Sequence, residues 1–562
     1  MINLFKFIFR YISPASGGLL LFIFLTLGFL DFLGLTLIVP FVNYMLSGDG
    51  SHLDVIPTFL EKLPLLSSFD ERFFYSLLIG LFAIRFVAIL VAISLSSWIA
   101  EGLQLKIRAR ITEVLHSSSL EAFEKNDHQV LLAMLNNYSG HIKGVVTQGF
   151  KVVSDAVLVS SVLIYVLAMD LKSFVSIGFF GAIAVLLVDR SSKSPITRLG
   201  AASNQAHEAF MRTAENGIRG FRELLSLNEI NRFWGSVIVF ASKFRRLQTI
   251  YMVIEQLPKY VYELLAVVVF VSFSTGFFGD KSDSGVFIAI AILMVRGLPL
   301  ITKITNFLVV IRYSTDALTK LAKFDFDNKG HERFVQLSHE ARAKNGSIDF
   351  DEIKILGLNH SYGNQKVLRG LNFEINRGEI IGMFGESGVG KSTFLDIFAG
   401  LRKPDSGEVW IDGESVCWRQ LHGFVGYLPQ SPVKIDGSVS ENFTFRSDLS
   451  DIEAAKVADL MHLVELSDVI QKDSNFEKVL RSPMSNLSGG QLQRLAIARL
   501  LFHKKTILLM DEATTGLDPD LELRILIKLR RIGISGILVS HNELTLSRCD
   551  RTLRLTAAGF EG

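Results

Sequence analysis

Cysteine is nearly missing from this chain of 562 residues. Only Cys417 and Cys549 are present, too few for a disulfide scaffold or a cysteine-ligated metal site, and both read as inert buried thiols. An excess of charge of one sign is missing too. The 58 Lys and Arg residues are balanced by 56 Asp and Glu, and a net +2 points to no nucleic-acid partner. Charged residues make up 20%, below the usual quarter or so. There is no internal repeat and no low-complexity tract. What the chain has in quantity is apolar material: 49% hydrophobic residues, a mean hydropathy of +0.35, and 44 Phe against 11 Tyr. Such a composition excludes disorder as its main character. It also exceeds what a soluble fold can hide, so a membrane protein is expected.

The apolar residues are concentrated in the first 311 positions. Six stretches there, near 16–46, 73–99, 148–169, 171–189, 250–278 and 285–311, reach the roughly 20 residues a helix needs to cross a bilayer. The third and fourth are separated only by Asp170, Leu171 and Lys172, which read as a tight turn. Before them, Met1–Ser13 sets Leu4, Phe5, Phe7, Ile8, Tyr11 and Ile12 against Lys6 and Arg10, the pattern of an amphipathic helix on a membrane surface. No small-residue cleavage site follows the apolar run, so it is not expected to be a cleaved signal.

Basic residues orient the spans. Lys106, Arg108, Arg110, Lys125 and Lys143 lie between spans two and three, and a longer basic series from Arg190 to Arg246 lies between spans four and five. The other loops hold only Lys62, Arg72, Lys172 and Lys281. Both long basic loops, the N-terminus and the C-terminal domain are therefore expected in the cytoplasm. The loops have few helix breakers, so the spans should continue as helices into the cytosol. The expected division is a transmembrane domain over 1–324, a polar linker over 325–346, and an α/β domain over 347–562. In the last, Glu379–Phe384, Ile507–Met510 and Gly536–Val539 are short apolar runs of the kind a parallel sheet buries on both faces, and Ser392–Ala399 is helical.

Gly385, Glu386, Ser387, Gly388, Val389, Gly390, Lys391 and Ser392, followed by Thr393, fit the phosphate-binding loop G-x-x-x-x-G-K-[ST] between a strand and a helix. The glycines let successive backbone N–H groups turn toward phosphates at the positive end of the helix. Lys391 suits the β- and γ-phosphates, and the Ser392 hydroxyl suits Mg²⁺. Asp511 and Glu512 end the apolar run Ile507–Met510, where a second Mg²⁺ contact and a water-orienting base belong.

Leu487, Ser488, Gly489, Gly490 and Gln491, together with that loop, resemble the signature of ATP-binding-cassette (ABC) ATPases. The likeness covers about 347–556 and keeps the family's order of motifs. It implies that Tyr362 stacks on adenine and that Gln430 senses Mg²⁺ and the γ-phosphate. Asp518 would lie in the loop coupling two ATP sites, and His541 would contact the γ-phosphate. It implies ATP and Mg²⁺ as cofactors, and a partner as well. The signature of one domain covers the ATP held by another, so a chain with one such domain and six spans resembles a half-transporter. A homodimer is the simpler form, with a heterodimer as the alternative.

The fusion resembles the exporter branch, which implies alternating access with Glu512 as the hydrolytic base. Short coupling helices are expected near Ala122–Val130 and Ile218–Leu227. The segment Phe476–Asn486 departs from the family, lacking its usual acidic-glycine pattern before the signature.

Ionisable residues inside spans are functional candidates. Asp31, Arg85 and Arg296 are such residues. In one reading Asp31 pairs with one arginine and fixes helix packing, which leaves at least one arginine over; in the other, Arg85 or Arg296 faces a central cavity and meets an anionic group of the substrate. Glu255, Lys259 and Glu263, four apart, read as helix-surface ion pairs. Asp31-Phe-Leu-Gly34, Val39-Pro-Phe41 and Arg296-Gly-Leu-Pro299 are similar to spans of bacterial lipid-linked oligosaccharide flippases and polysaccharide exporters. That implies an anionic lipid-linked glycan as cargo in the bacterial cytoplasmic membrane. A peptide or another lipid is the competing cargo, and the absence of a preceding cysteine-protease domain is expected to exclude exporters that trim their peptides. A membrane-tethered regulatory ATPase is the reading from another class.

Overall fold

The computed structural model describes residues 7–8, 10–47, 71–118, 120–124, 127–169, 171–274, 284–327, 350–435, 437–445, 450–466, 487–512, 517–557 and 559–561. Side chains are described for fewer positions, and for none over 35–47 or 284–299. The chain forms two compact units. One comprises Met1–His116 and Asn126–Gly330, the other Ser117–Lys125 and His331–Gly562.

The first unit is helical. Its long helices are α1 (Pro14–Ser47), α2 (Glu71–Ser117), α5 (Ser139–Met169), α6 (Leu171–Arg219), α8 (Ile230–Ser274) and α9 (Ser284–Asp327). Shorter helices between them are α3 (Leu120–Glu124), α4 (His128–Ala133) and α7 (Phe221–Ser226). The described part of each expected span falls on one long helix, with 275–278 of the fifth outside the described residues. α5 ends at Met169 and α6 begins at Leu171, so Leu171 and Lys172, expected in the turn, are helical, and Asp170 lies outside the described residues. Several helices run well past the apolar stretches, because the basic loop sequences contain few residues that oppose helix. α6 and α8 even continue through Pro195 and Pro258. Among the described residues, Pro14–Gly34 and Leu78–His116 are long and apolar enough to cross a bilayer. Phe22, Phe29, Ile79, Ile84 and Phe86 stand exposed on them, as lipid contact requires and a soluble surface avoids.

Among the described residues the helices meet at a close-packed glycine and through polar contacts. A Cβ placed on Gly200 of α6 would lie 2.1 Å from the Tyr313 carbonyl oxygen of α9, so only glycine permits this approach. Nearby, Asn204 and Glu208 present one face of α6 to Asp316 and Lys320 of α9, both pairs four residues apart. Asn204 Nδ2 donates to Asp316 at 3.0 Å and Lys320 Nζ donates to Glu208 at 2.8 Å. The fully buried Tyr138, in a π-turn (Met134–Tyr138) that joins α4 to α5, donates its hydroxyl to Glu208.

Two further expectations change. The described part of the N-terminal segment turns its apolar face to protein: Phe7 and Tyr11 share an apolar recess with Ile107, Ile111, Val114, Leu321 and Phe324, and Ile8 and Ile12 are buried. An amphipathic pattern specifies an apolar neighbour but does not say whether that neighbour is lipid or protein. Cys417 is exposed, at the N-cap of a 3₁₀ turn (Trp418–Gly423), so only Cys549 is a partly buried thiol. Burial pushes the Cys549 thiol up to about 11, which keeps it unreactive.

The second unit is α/β. β1 (Glu352–Tyr362), β2 (Gln365–Asn376), β4 (Ser406–Ile411) and β5 (Glu414–Val416) form an antiparallel sheet in the order β2-β1-β4-β5. β3 (Ile380–Phe384), β6 (Val425–Leu428), β7 (Ile507–Asp511), β8 (Ser535–Val539), β9 (Arg551–Thr556) and β10 (Gly559–Glu561) form a second sheet, ordered β10-β9-β3-β8-β7-β6. All pairs in it are parallel except β10 with β9. β3, β7 and β8 are almost wholly buried, as central parallel strands covered on both faces must be. α10 (Lys391–Phe398), α11 (Gly489–Phe502) and α12 (Pro519–Arg531) are the helices that position the site.

Candidate nucleotide site

Four neighbouring parallel strands deliver the site from their carboxyl ends, where open α/β sheets bind ligands. β3 ends at Phe384 and leads into Gly385; β6 ends at Leu428, two residues before Gln430. β7 ends at Asp511 beside Val539 of β8, and β8 leads to His541. The register that makes Ile381, Leu509 and Ile537 core residues thus gathers motifs over 150 residues of sequence.

The loop before α10 needs its glycines. Gly390 caps α10 with φ +111°, and a Cβ there would lie 2.8 Å from Val367 Cγ1. Any other residue would be strained and would meet the β2 side chains. Lys391 Nζ donates to the Gly385 and Glu386 carbonyl oxygens at 2.7 and 2.9 Å, which folds the ammonium over the loop. Ser387, Gly388, Val389 and Thr393 complete the loop and the first turn.

Asp511 Oδ2 accepts the Ser392 hydroxyl at 3.0 Å and the Tyr427 hydroxyl at 2.9 Å. Glu512, the next residue, has φ +50°, a conformation costly for a side chain without special support. Its N–H donates to the Val539 carbonyl oxygen at 3.1 Å. Its carboxylate accepts Gln430 Nε2 at 2.8 Å and lies 3.3 Å from His541 Nε2. Asp511 and Glu512 therefore face different partners although adjacent in sequence. Tyr427 received no role from the sequence; its hydroxyl reaches Asp511 because strand β6 pairs Tyr427 with Leu509 on β7. Burial, and then the Asp511 charge, hold this phenol well above its ordinary value, so it stays a hydrogen-bond donor.

Tyr362, at the end of β1, is 45% exposed, with its hydroxyl 3.4 Å from Thr393 Oγ1. Leu487, Ser488, Gly489, Gly490 and Gln491 open α11. Ser488 Oγ accepts the Gln491 N–H, and Gln491 Oε1 accepts the Ser488 N–H at 2.9 Å, a reciprocal cap that displays the helix N-terminus. Asp518 caps α12, accepting the Asp520 N–H at 3.0 Å. The expected segment Phe476–Asn486 and the residues Thr515 and Gly516 lie outside the described residues.

In the helical unit Arg85 donates to Asp31, so these two charges are paired. Arg296 lies on α9 with its side chain outside the described ones. Lys259 and Glu263 are 4.0 Å apart. The sequence reading passed over a further pair, Lys303 and Asp155, 3.2 Å apart and within the expected spans 285–311 and 148–169. Their positions inside apolar stretches were the available signal.

Residues 368–515 match the family model described as ABC transporter. The probable microcin-H47 secretion/processing ATP-binding protein MchF of Escherichia coli is 32% identical, over 40% of this chain and 34% of its own length. The colicin V secretion/processing ATP-binding protein CvaB of Escherichia coli is 29% identical over the same shares. The chain thus spans about a third of these relatives' length. A bacterial Atm1-family ABC exporter with ATP bound superposes with a TM-score of 0.73 and 18% identity, covering 96% of this chain and 93% of that one. The C-terminal domain is an ABC transporter ATP-binding domain. The fold of the whole chain is that of an ABC exporter: a helical N-terminal region fused to an α/β P-loop domain.

Such a domain uses ATP with Mg²⁺. The residues present fit that ion. Magnesium takes oxygen ligands at about 2.0–2.1 Å in an octahedron, which sets neighbouring ligands ~2.9 Å apart. Ser392 Oγ and Asp511 Oδ2 already stand 3.0 Å apart.

Proposed function

We propose that the chain is a half-transporter of the bacterial cytoplasmic membrane that hydrolyses ATP to export or flip its cargo by alternating access, acting as a homodimer. The observation that carries this reading is the Glu512 carboxylate, held between Gln430 and His541 one residue beyond the Ser392–Asp511 pair, in a domain fused to an exporter-type helical unit. The division proposed is a membrane domain over 1–324, a linker over 325–346 and an ATP-binding domain over 347–562.

In this reading the backbone N–H groups of Gly385–Thr393 and the Lys391 ammonium bind the phosphates. Tyr362 offers its exposed ring to adenine. Ser392, Asp511 and Gln430 would hold Mg²⁺, which neutralises phosphate charge when bound. Glu512 takes the proton of the attacking water, and its two partners fix the carboxylate's direction. His541, on the adjoining strand end, reports on the γ-phosphate through the same carboxylate. Ser488–Gln491 and Asp518 serve the second copy's nucleotide.

The cargo proposed is an anionic amphiphile, with a lipid-linked oligosaccharide first. Support comes from the likeness of Asp31–Gly34 and Arg296–Pro299 to spans of such flippases and from Arg296 as a cation within an apolar stretch, beside the pairs Arg85–Asp31 and Lys303–Asp155. Export of a peptide or another lipid is the alternative, favoured by relatives named for secretion of microcin-H47 and colicin V. Reconstitution in liposomes with a lipid-linked glycan and, in parallel, a peptide panel tests it. Stimulated ATPase and net movement of the glycan are expected; movement of peptide alone would select the alternative.

A further inference from the structure

Arg402 is a buried cation in a site that needs none for phosphate. It follows the end of α10: Gly400 adopts φ +69°, and the Leu401 and Arg402 N–H groups donate to the Asp396 carbonyl oxygen at 2.9 and 3.2 Å. The side chain is only 4% exposed. A guanidinium so buried requires partners, and removing them leaves a charge that water cannot reach. Its partners come from three places. Asp396 of α10 lies 3.5 Å away, Glu124 of α3 accepts from Nη2 at 2.8 Å, and Glu121 of α3 is 3.8 Å from Nη1. The Tyr362 ring is the fourth neighbour, with its centroid 5.0 Å from Cζ, within cation–π range.

The arrangement is directional. α10 begins at the phosphate loop, and the turn after its end carries Arg402, which touches the ring assigned to the base. α3 comes from a remote stretch of sequence, between two membrane helices, yet belongs to the same compact unit as this domain. We propose that Arg402 is a positioning residue through which Glu121 and Glu124 set the site's affinity for the adenine base: seated α3 holds the guanidinium against Tyr362, and the braced ring receives the base. The proposal rests on the reading of Tyr362 given above. Coupling of this kind is reciprocal, so a bound base favours the seated α3 as much as α3 favours the base. Inorganic tripolyphosphate, which binds the loop but carries no base, is indifferent to it.

The test uses the solubilised full-length chain and equilibrium binding of ATP and of inorganic tripolyphosphate. The double variant Glu121→Gln/Glu124→Gln, which keeps side-chain shape and touches no proposed nucleotide contact, is expected to weaken ATP about fivefold, at the low end of allosteric couplings. Tripolyphosphate should stay within about twofold. Arg402→Lys, which keeps the charge but not the planar fork, should fall between. In a Tyr362→Ala background the double variant should add nothing. Unchanged ATP affinity in the double variant, or equal weakening of both ligands, would overturn the proposal while leaving the Tyr362 reading intact. Unchanged ATP affinity in Tyr362→Ala alone would overturn both.

Discussion

At the scale of single residues the site is a set of shared oxygens. Glu512→Gln keeps the shape and the backbone but removes the base. Turnover should fall by about a hundredfold or more, with ATP retained and a closed dimer trapped. ATPase rates and filter-retained nucleotide measure this, and near-normal turnover would refute the assignment. Tyr427→Phe removes one of two donors from Asp511, a supporting contact of the kind that changes metal affinity by about 10–100-fold. The Mg²⁺ concentration for half-maximal ATPase should therefore rise about tenfold, with the rate at saturating Mg²⁺ less affected. Asp396 supplies a pH effect. Burial pushes its carboxyl up to about 6, against the pull of Arg402, with Glu124 and Asp511 adding to the rise. The folded chain therefore binds the extra proton between about pH 4 and 6. This contribution to stability is complete below the ordinary value of 3.8 and is lost as pH rises through about 6. Asp396→Asn should gain thermal stability relative to the parent as pH rises from 5 to 7, and parallel curves would exclude it. The motifs made the oxygens legible, because strand-ending acids and a glycine loop have few other uses. Tyr427 and Arg402 were not legible, because their roles come from pairing across β6–β7 and from burial under a distant helix.

At the scale of elements, charge pairing fixes helix against helix. Arg85 of α2 and Asp31 of α1 are partly buried, at 24% and 19% exposure. Losing one partner strands the other, whereas replacing both with apolar groups is far milder. Asp31→Leu and Arg85→Met should each lower the thermal midpoint of the solubilised chain markedly. The double variant should recover most of the loss, and an additive double would deny the pair. Periodicity and length revealed the helices and the buried parallel strands, since long apolar runs and short apolar runs bounded by glycine are local signals. Which charges meet is not local. Asp31 had two arginines to choose from, and the choice lies in the packing of α1 on α2.

At the scale of the whole molecule, the signature residues of α11 bond to one another at an exposed helix start, a surface made for another copy's nucleotide under the homodimer reading. Arg296→Ala should reduce stimulation of ATPase by an anionic lipid-linked glycan severalfold; stimulation equal to that of the parent would remove Arg296 from cargo recognition. The likeness to an exporter rested on the ATP-site motifs fused to six apolar stretches, whereas the cargo was not legible, because an apolar wall with a few charges suits many amphiphiles.

The placement of residues 117–125 in the C-terminal unit has a consequence for biosynthesis. A ribosome makes Leu120–Glu124 early and Arg402 some 280 positions later. Until then the short helix has its two carboxylates but no seat. Docking of Leu120–Glu124 against Arg402 can therefore begin only after the C-terminal domain has been made, however early the helices before it fold.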